Sequence, residues 1–148
     1  MTRAYLAFTE KGLALAQKLA SALPGTVARC GHGGPGLADW AAEQFAHADA
    51  LIFVGAVGIA VRAIAPHCQN KAVDPAVVVL DECGHFAVPI LSGHLGGAND
   101  LARALAAVCG AVPVITTATD ANGVFAVDAW ARHQNCAVLE PERIKKVS

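Results

Sequence analysis

A glycine-rich segment, LSGHLGGAND at residues 91–100, combines residue types that could do chemistry. An apolar run gives way here to glycines and then to a helical pattern, so we expect a strand, a turn and a helix N-terminus. Such an N-terminus can bind an anion through its free N–H groups and its dipole. Gly93, Gly96 and Gly97 would let a ligand approach the backbone closely. His94 lies among them and could act as a general base or acid near neutral pH.

The same segment has a purely structural explanation, which the sequence leaves open. The glycines could simply meet the backbone demands of a strand-to-helix turn, with His94 at the surface. The pattern matches neither GxGxxG nor the Walker sequence, so it does not indicate a dinucleotide or a nucleoside triphosphate.

A second glycine turn, GAVGIAVR at residues 55–62, follows another apolar run. In an open α/β sheet, ligands bind beyond the carboxyl ends of the strands. Gly55 and Gly58 are therefore predicted to form a second backbone wall of the same crevice as the first segment, and Arg62 to pair with a ligand carboxylate. The alternative is a tight turn followed by a surface arginine.

A third segment, TTATD at residues 116–120, follows the last predicted strand. The hydroxyls of Thr116, Thr117 and Thr119 could bind substrate there. Asp120 could activate water or orient the histidine of the first segment. These residues are equally explained as ordinary turn and cap residues.

Metal-ligating residue types are present without the usual metal-ligating spacing. Cys83 and His85 form one spaced pair, and His67 and Cys68 are adjacent. Neither pair gives the two-plus-two arrangement of a structural zinc site, so the sequence predicts no metal ligands in this chain.

Apolar β-rich runs alternate with amphipathic helical runs, which predicts one α/β domain. The expected architecture is a Rossmann-like open sheet, mainly parallel, with helices on both faces and an antiparallel hairpin near residues 81–91. The domain is expected to span residues 1–140, with residues 141–148 as the start of a linker. Strands are predicted at residues 4–8, 26–30, 49–54, 77–80, 86–91 and 112–115, and helices after a cap at Thr9 and at residues 37–46, 59–65, 98–109 and 128–134.

The composition excludes several classes of protein. The chain has 148 residues, of which 55% are hydrophobic and 16% charged, so it is too apolar for a disordered chain. Its 11 lysines and arginines are mostly scattered and face 12 acidic residues, so no nucleic-acid partner is expected. The longest apolar run, residues 50–61, contains two glycines and is too short to cross a membrane. Five cysteines without a CxxC pair favour reduced thiols in the cytoplasm.

Four segments together resemble the N-terminal region of a known family. They are LIFVGAVGIAVRAIAP, DPAVVVLDE, ILSGHLGGANDLARALA and PVITTATDANGVFAVDAWA, and they resemble the cobalt-precorrin 5A hydrolase family (CbiG) of anaerobic cobalamin biosynthesis over roughly residues 51–130. The resemblance implies hydrolysis of the δ-lactone of a cobalt-bound tetrapyrrole, cobalt-precorrin 5A, with loss of acetaldehyde to give cobalt-precorrin 5B. No cofactor is implied, because the substrate carries the cobalt.

Lactone hydrolysis needs a base, donors for the oxyanion and a proton source, and the resemblance suggests which residues supply them. His94 is the expected base, and the N–H groups of Gly96 and Gly97 the expected oxyanion donors. The family continues into a C-terminal domain, so such a domain or a separate partner chain is expected. The alternative is a non-catalytic tetrapyrrole-binding or docking module. The expected catalytic residues are His94 and Asp120, and the expected substrate-binding residues are Gly55, Gly58, Arg62, Ser92, Gly93, Gly96, Gly97, Asn99, Thr116, Thr117 and Thr119.

Overall fold

The computed structural model describes residues 1–93 and 96–118. The chain divides into two compact units, residues 1–114 and residues 115–148. Only residues 115–118 of the second unit are described, so the predicted helix at 128–134 and the predicted linker at 141–148 lie outside the described residues.

Strands and helices alternate along the first unit as the apolar patterns predict. The observed ends of these elements agree with the predicted ones to within two residues, and among the largest differences the last strand stops at Pro113 rather than at residue 115. The elements are β1 (Arg3–Ala7), α1 (Glu10–Ala22), β2 (Thr26–Arg29), α2 (Leu37–His47), β3 (Ala50–Val54), α3 (Val57–Ile64), a short 3-10 helix (Ala65–His67), β4 (Ala76–Leu80), β5 (Phe86–Leu91), α4 (Ala98–Cys109) and β6 (Val112–Pro113).

The strands form one sheet in the order β2-β1-β3-β4-β5-β6. Strands β1 to β4 run parallel, β5 runs antiparallel to β4, and β6 runs parallel to β5. The open, mainly parallel sheet and its antiparallel hairpin are therefore confirmed. Because β5 reverses direction, its carboxyl end lies at the edge of the sheet where β1, β3 and β4 begin.

The helices cover both faces of the sheet. Helices α1 and α4 pack against each other, and α2 packs against α3. On the α2 and α3 face, Phe53 is fully buried and meets Trp40 edge-on, with ring centroids 5.4 Å apart. All five residues of β3 and of β4 are buried, which explains why both strands are continuous apolar runs.

Two predicted helix ends are confirmed by their cap geometry. The hydroxyl of Thr9 accepts a hydrogen bond from the N–H of Gly12 at 3.0 Å, which caps α1. Gly110 ends α4 in the left-handed conformation, with φ of 78°. Among the described residues, no helix has the length and apolar character that crossing a membrane requires.

Candidate functional site

The turn between β5 and α4 is held by its own backbone. Ser92 is buried, has φ of 57°, and donates its hydroxyl to the carbonyl oxygen of Asp74 at 3.0 Å. The carbonyl oxygens of Ser92 and Gly93 accept hydrogen bonds from the N–H groups of Ala98 and Asn99 at 3.0 and 3.1 Å. The first two amides of α4 are therefore already used within the turn.

Backbone geometry explains two of the glycines in this turn. A Cβ atom on Gly96 would lie 2.5 Å from the Cβ of Ser92, which is closer than packed atoms allow. Gly97 has φ of 83°, a conformation that side chains disfavour. The structural explanation for these glycines is thus supported, and their predicted contact with substrate stays a prediction. His94 lies outside the described residues.

Asn99 stands in the first turn of α4, and its residue exposure is only 3%. A side chain this deeply buried helps to hold the turn in place. Its predicted contact with substrate stays a prediction.

The two glycine turns lie at opposite edges of the sheet. Gly55 follows β3 and donates its N–H to the carbonyl oxygen of Leu80, the last residue of β4. Ser92 follows Leu91, which pairs with Val77 near the start of β4. Val77 and Leu80 are three residues apart, or about 10 Å along an extended strand. The prediction that both turns wall one crevice is therefore wrong, because β5, the strand before the turn at residues 92–97, runs antiparallel to β4.

Gly55 and Gly58 lie at the carboxyl end of β3, whereas Arg62 lies in the last turn of α3. A Cβ atom on Gly55 would lie 2.8 Å from the ring of Phe8, so the close approach of the two loops requires glycine. A Cβ atom on Gly58 would meet nothing within 4 Å. Arg62 is exposed on α3. Gly55 lines a cleft at this edge.

That cleft opens at the point where the chain changes direction across the sheet. From β1 the chain passes through α1 to β2 on one side, and it then returns through α2 to β3 on the other. Ligands in open α/β sheets bind at such switch points. The cleft has a volume of about 310 Å³ and is lined by Phe8, Thr9, Val54, Gly55, Ala56, Ile59, Asp81 and Glu82.

Two carboxylates of this cleft, those of Asp81 and Glu82, were not among the predicted site residues. The hydroxyl of Thr9 donates to the carboxylate of Glu82 at 2.7 Å, which joins the loop after β1 to the loop after β4. The sequence signal was their position directly after a buried strand in a mainly parallel sheet. They bring two carboxylates to this edge.

The loop after β4 is a tight hairpin built around Asp81. One carboxylate oxygen of Asp81 accepts the N–H groups of His85 and Phe86 at 2.9 and 2.8 Å, and the other accepts that of Cys83 at 3.2 Å. Gly84 allows the reversal with φ of 72°. One metal-ligand atom each from Asp81, Cys83 and His85 lies within 4.8 Å of the other two. Sequence spacing alone had paired only Cys83 with His85.

Lys11, at the start of α1, reaches this hairpin. Its ammonium donates to the sulfur of Cys83 at 3.1 Å. That hydrogen bond raises the pKa of Lys11 above its ordinary value, and the carboxylates of Glu82 and Asp81 add to the effect.

In the second unit, Thr116 is exposed and Thr117 is half-buried. Thr119 and Asp120 lie outside the described residues, so their predicted roles stay predictions.

Comparisons with known proteins point to one family. The family model described as Cobalamin synthesis G N-terminal matches residues 39–120. Cobalt-precorrin-5A hydrolase of Salmonella typhimurium is 47% identical over 149 residues, which cover 93% of this chain and 41% of that protein. The Priestia megaterium protein of the same name is 43% identical over 98 residues, covering 66% of this chain and 26% of that protein.

A solved structure is similar as well. The crystal structure of a cobalamin biosynthesis protein G homolog from Sulfolobus solfataricus matches with a TM-score of 0.66 and 26% identity. The match covers 78% of this chain and 36% of that chain. The present chain thus spans less than half the length of the relatives it matches.

Proposed function

Because the chain belongs to the family of cobalamin synthesis G N-terminal domains, we propose that it acts in cobalamin biosynthesis as the N-terminal part of a cobalt-precorrin-5A hydrolase. The observation that carries this proposal is the identity to the Salmonella hydrolase over almost the whole chain. The proposed reaction is hydrolysis of the δ-lactone of cobalt-precorrin 5A with loss of acetaldehyde. In the first step, water adds to the lactone carbonyl, the ring C–O bond breaks, and the departing alkoxide takes a proton.

Charge favours the turn after β5 as the place where the substrate binds. A corrinoid precursor is a polycarboxylate, and the cleft at the other edge presents the carboxylates of Asp81 and Glu82. Like charges in one pocket repel. The N-terminus of α4 instead offers the positive end of a helix dipole, and the carboxylate in its first turn, that of Asp100, is paired with Arg103 at 3.1 Å. We therefore assign the lactone to the 92–97 edge, with His94 as the base and the amides of Gly96 and Gly97 as oxyanion donors.

This assignment changes the roles of other predicted residues. Ser92 donates its hydroxyl to the backbone of Asp74, so its role is to position the turn rather than to hold substrate. Gly55 and Gly58 lie at the opposite edge, and Arg62 lies on α3 on the other face of the sheet from α4, so this assignment gives these three no part in the lactone pocket. Thr116, Thr117, Thr119 and Asp120 remain proposed contacts for water or a propionate.

A second candidate function follows from the length of the relatives. The chain spans 41% of the Salmonella protein, so the catalytic groups could lie in the remainder. In that case this domain binds the tetrapyrrole, or docks against a C-terminal domain or a separate partner chain, without catalysing the reaction. Under either function we propose a cytoplasmic location, and no cofactor for lactone hydrolysis beyond the cobalt of the substrate.

Acetaldehyde release separates the two functions. The chain is incubated with cobalt-precorrin 5A, alone and mixed with a polypeptide that supplies the remaining length of the Salmonella relative, and acetaldehyde is measured in both mixtures. Each mixture is repeated with His94→Ala and with His47→Gln, an exposed histidine on α2 as the control.

If His94→Ala abolishes acetaldehyde release in whichever mixture is active, and His47→Gln does not, the catalytic function is supported. Release that needs this chain but is unaffected by His94→Ala supports the binding function. If the chain neither releases acetaldehyde nor binds the substrate in either mixture, both functions are wrong.

A further inference from the structure

The hairpin after β4 gathers three side chains that neither proposed function uses. Asp81, Cys83 and His85 alternate along the turn, and the φ of 72° at Gly84 brings the chain back so that they converge. Their ligand atoms lie within 4.8 Å of one another. Nδ1 of His85 is 3.7 Å from Oδ2 of Asp81. We propose that these three residues bind a divalent transition-metal ion of the Zn²⁺ type.

The distances suit a tetrahedral ion. Zn²⁺ lies about 2.0–2.3 Å from nitrogen, oxygen and sulfur ligands, so neighbouring ligand atoms are roughly 3.3–3.8 Å apart. The pair formed by His85 and Asp81 already has this separation. Cys83 and His85 are exposed, so their side chains can rotate. A movement of their ligand atoms by about 1 Å would bring the remaining separations, at most 4.8 Å, to those of a tetrahedral ion. The fourth position stays open to water.

The donor set suits the charge and the softness of such an ion. A thiolate and a carboxylate neutralise two positive charges, and the imidazole adds a neutral nitrogen. Thiolate and imidazole ligands select Zn²⁺ and Co²⁺ over Mg²⁺ and Ca²⁺, which prefer oxygen. The ammonium of Lys11 donates to the sulfur of Cys83 at 3.1 Å, which holds that side chain against the hairpin.

The carboxylate of Asp81 is already oriented before any ion binds. Three backbone N–H groups of the hairpin donate to its two oxygens, two of them to Oδ1 and one to Oδ2, so Oδ2 keeps a lone pair for an ion. Groups that hydrogen-bond to a metal ligand and fix its direction contribute strongly to metal affinity. The hairpin backbone therefore supplies the supporting contacts of the site.

The test is metal binding by the full chain, and it needs no corrinoid. The chain is prepared without a histidine tag, reduced, stripped with a chelator and titrated with Co²⁺ in the absence of air. We expect one Co²⁺ per chain, with a near-ultraviolet charge-transfer band from the thiolate, and displacement of that band by Zn²⁺. Calorimetry with Zn²⁺ gives the affinity.

Matched variants assign the ligands. Cys83→Ser should abolish the charge-transfer band, and His85→Ala should lower the affinity at least tenfold. Cys68→Ser removes another exposed thiol outside the hairpin and should change neither value. Melting temperatures without metal verify that each variant folds. Absence of Co²⁺ binding, a band that survives Cys83→Ser, or an affinity unchanged by His85→Ala would overturn the proposal.

Discussion

The hydroxyl of Thr9 joins two segments that lie far apart in the chain, because it donates to the carboxylate of Glu82 at 2.7 Å while it accepts the N–H of Gly12 at 3.0 Å. One hydroxyl group thus caps α1 and ties the loop after β1 to the hairpin after β4. Both loops line the same cleft, so this pair of bonds sets the shape of the carboxyl edge of the sheet.

We therefore expect Thr9→Ala to lower the free energy of unfolding by about 1 kcal/mol, the usual cost of losing an N-cap. Urea unfolding monitored by circular dichroism measures the change. Glu82→Gln keeps the cap and weakens only the tie between the loops, so its loss should be smaller. Equal losses in the two variants would show that the cap contributes nothing.

Gly96→Ala tests the close packing of the turn between β5 and α4. The new methyl group would lie 2.5 Å from the Cβ of Ser92 and 3.0 Å from its carbonyl oxygen. The turn must move, so we expect a loss of about 1–3 kcal/mol in the free energy of unfolding.

Gly58→Ala is the matched control for that substitution. Gly58 lies inside α3, and a Cβ atom added there would meet nothing within 4 Å. The variant should gain up to about 1 kcal/mol in the free energy of unfolding, because alanine favours a helix. Thermal or urea unfolding measures both variants. A neutral Gly96→Ala would contradict the crowding at Ser92.

The type and order of the elements were predictable because burial leaves a direct trace in the sequence. A strand covered on both faces needs apolar residues throughout, and β3 and β4 show such runs. Thr9 and Gly110 were recognisable as caps because each satisfies a local backbone demand.

The arrangement of the site was not predictable from these local patterns. The sequence predicted an antiparallel hairpin, and that hairpin sends β5 back across the sheet. The turn after β5 consequently leaves from the edge opposite Gly55, although both turns follow strands and look alike in sequence. The cleft carboxylate of Glu82 was missed for a related reason, since its partner Thr9 is 73 positions away. Such pairings depend on strand order, which local composition does not encode.

The single tyrosine gives the fold a specific dependence on alkaline pH. Tyr5 is fully buried and its hydroxyl donates to the carbonyl oxygen of Leu23. Burial raises the pKa of Tyr5 above its ordinary value of 10.0, and nearby Arg3 opposes this only in part. The stabilisation is fully present below pH 10 and is lost as the pH rises through the folded pKa, because the unfolded chain ionises first.

Tyr5→Phe should remove the part of the stability loss at alkaline pH that comes from ionisation of Tyr5. At neutral pH the variant should be less stable by about 1 kcal/mol, since it lacks the hydrogen bond to Leu23. Above pH 10 the difference in unfolding free energy between the two proteins should shrink. Urea unfolding at several pH values measures it, and other titrating groups are common to both. A difference that stays constant across this range would show that ionisation of Tyr5 does not affect stability.

The position of Arg62 makes a prediction about catalysis. If the lactone binds at the turn before α4, Arg62 does not hold it, because Arg62 is exposed on α3, and α3 packs with α2 on the face of the sheet opposite α1 and α4. Arg62→Ala should therefore leave acetaldehyde release within about twofold of the parent chain, whereas His94→Ala should lower it by about 10²–10⁴-fold, the usual contribution of a general base. Both rates are measured at saturating cobalt-precorrin 5A in the active mixture. An equal loss in the two variants would mean that the substrate also contacts the α3 face of the sheet, which contradicts the assignment of the lactone to the 92–97 turn.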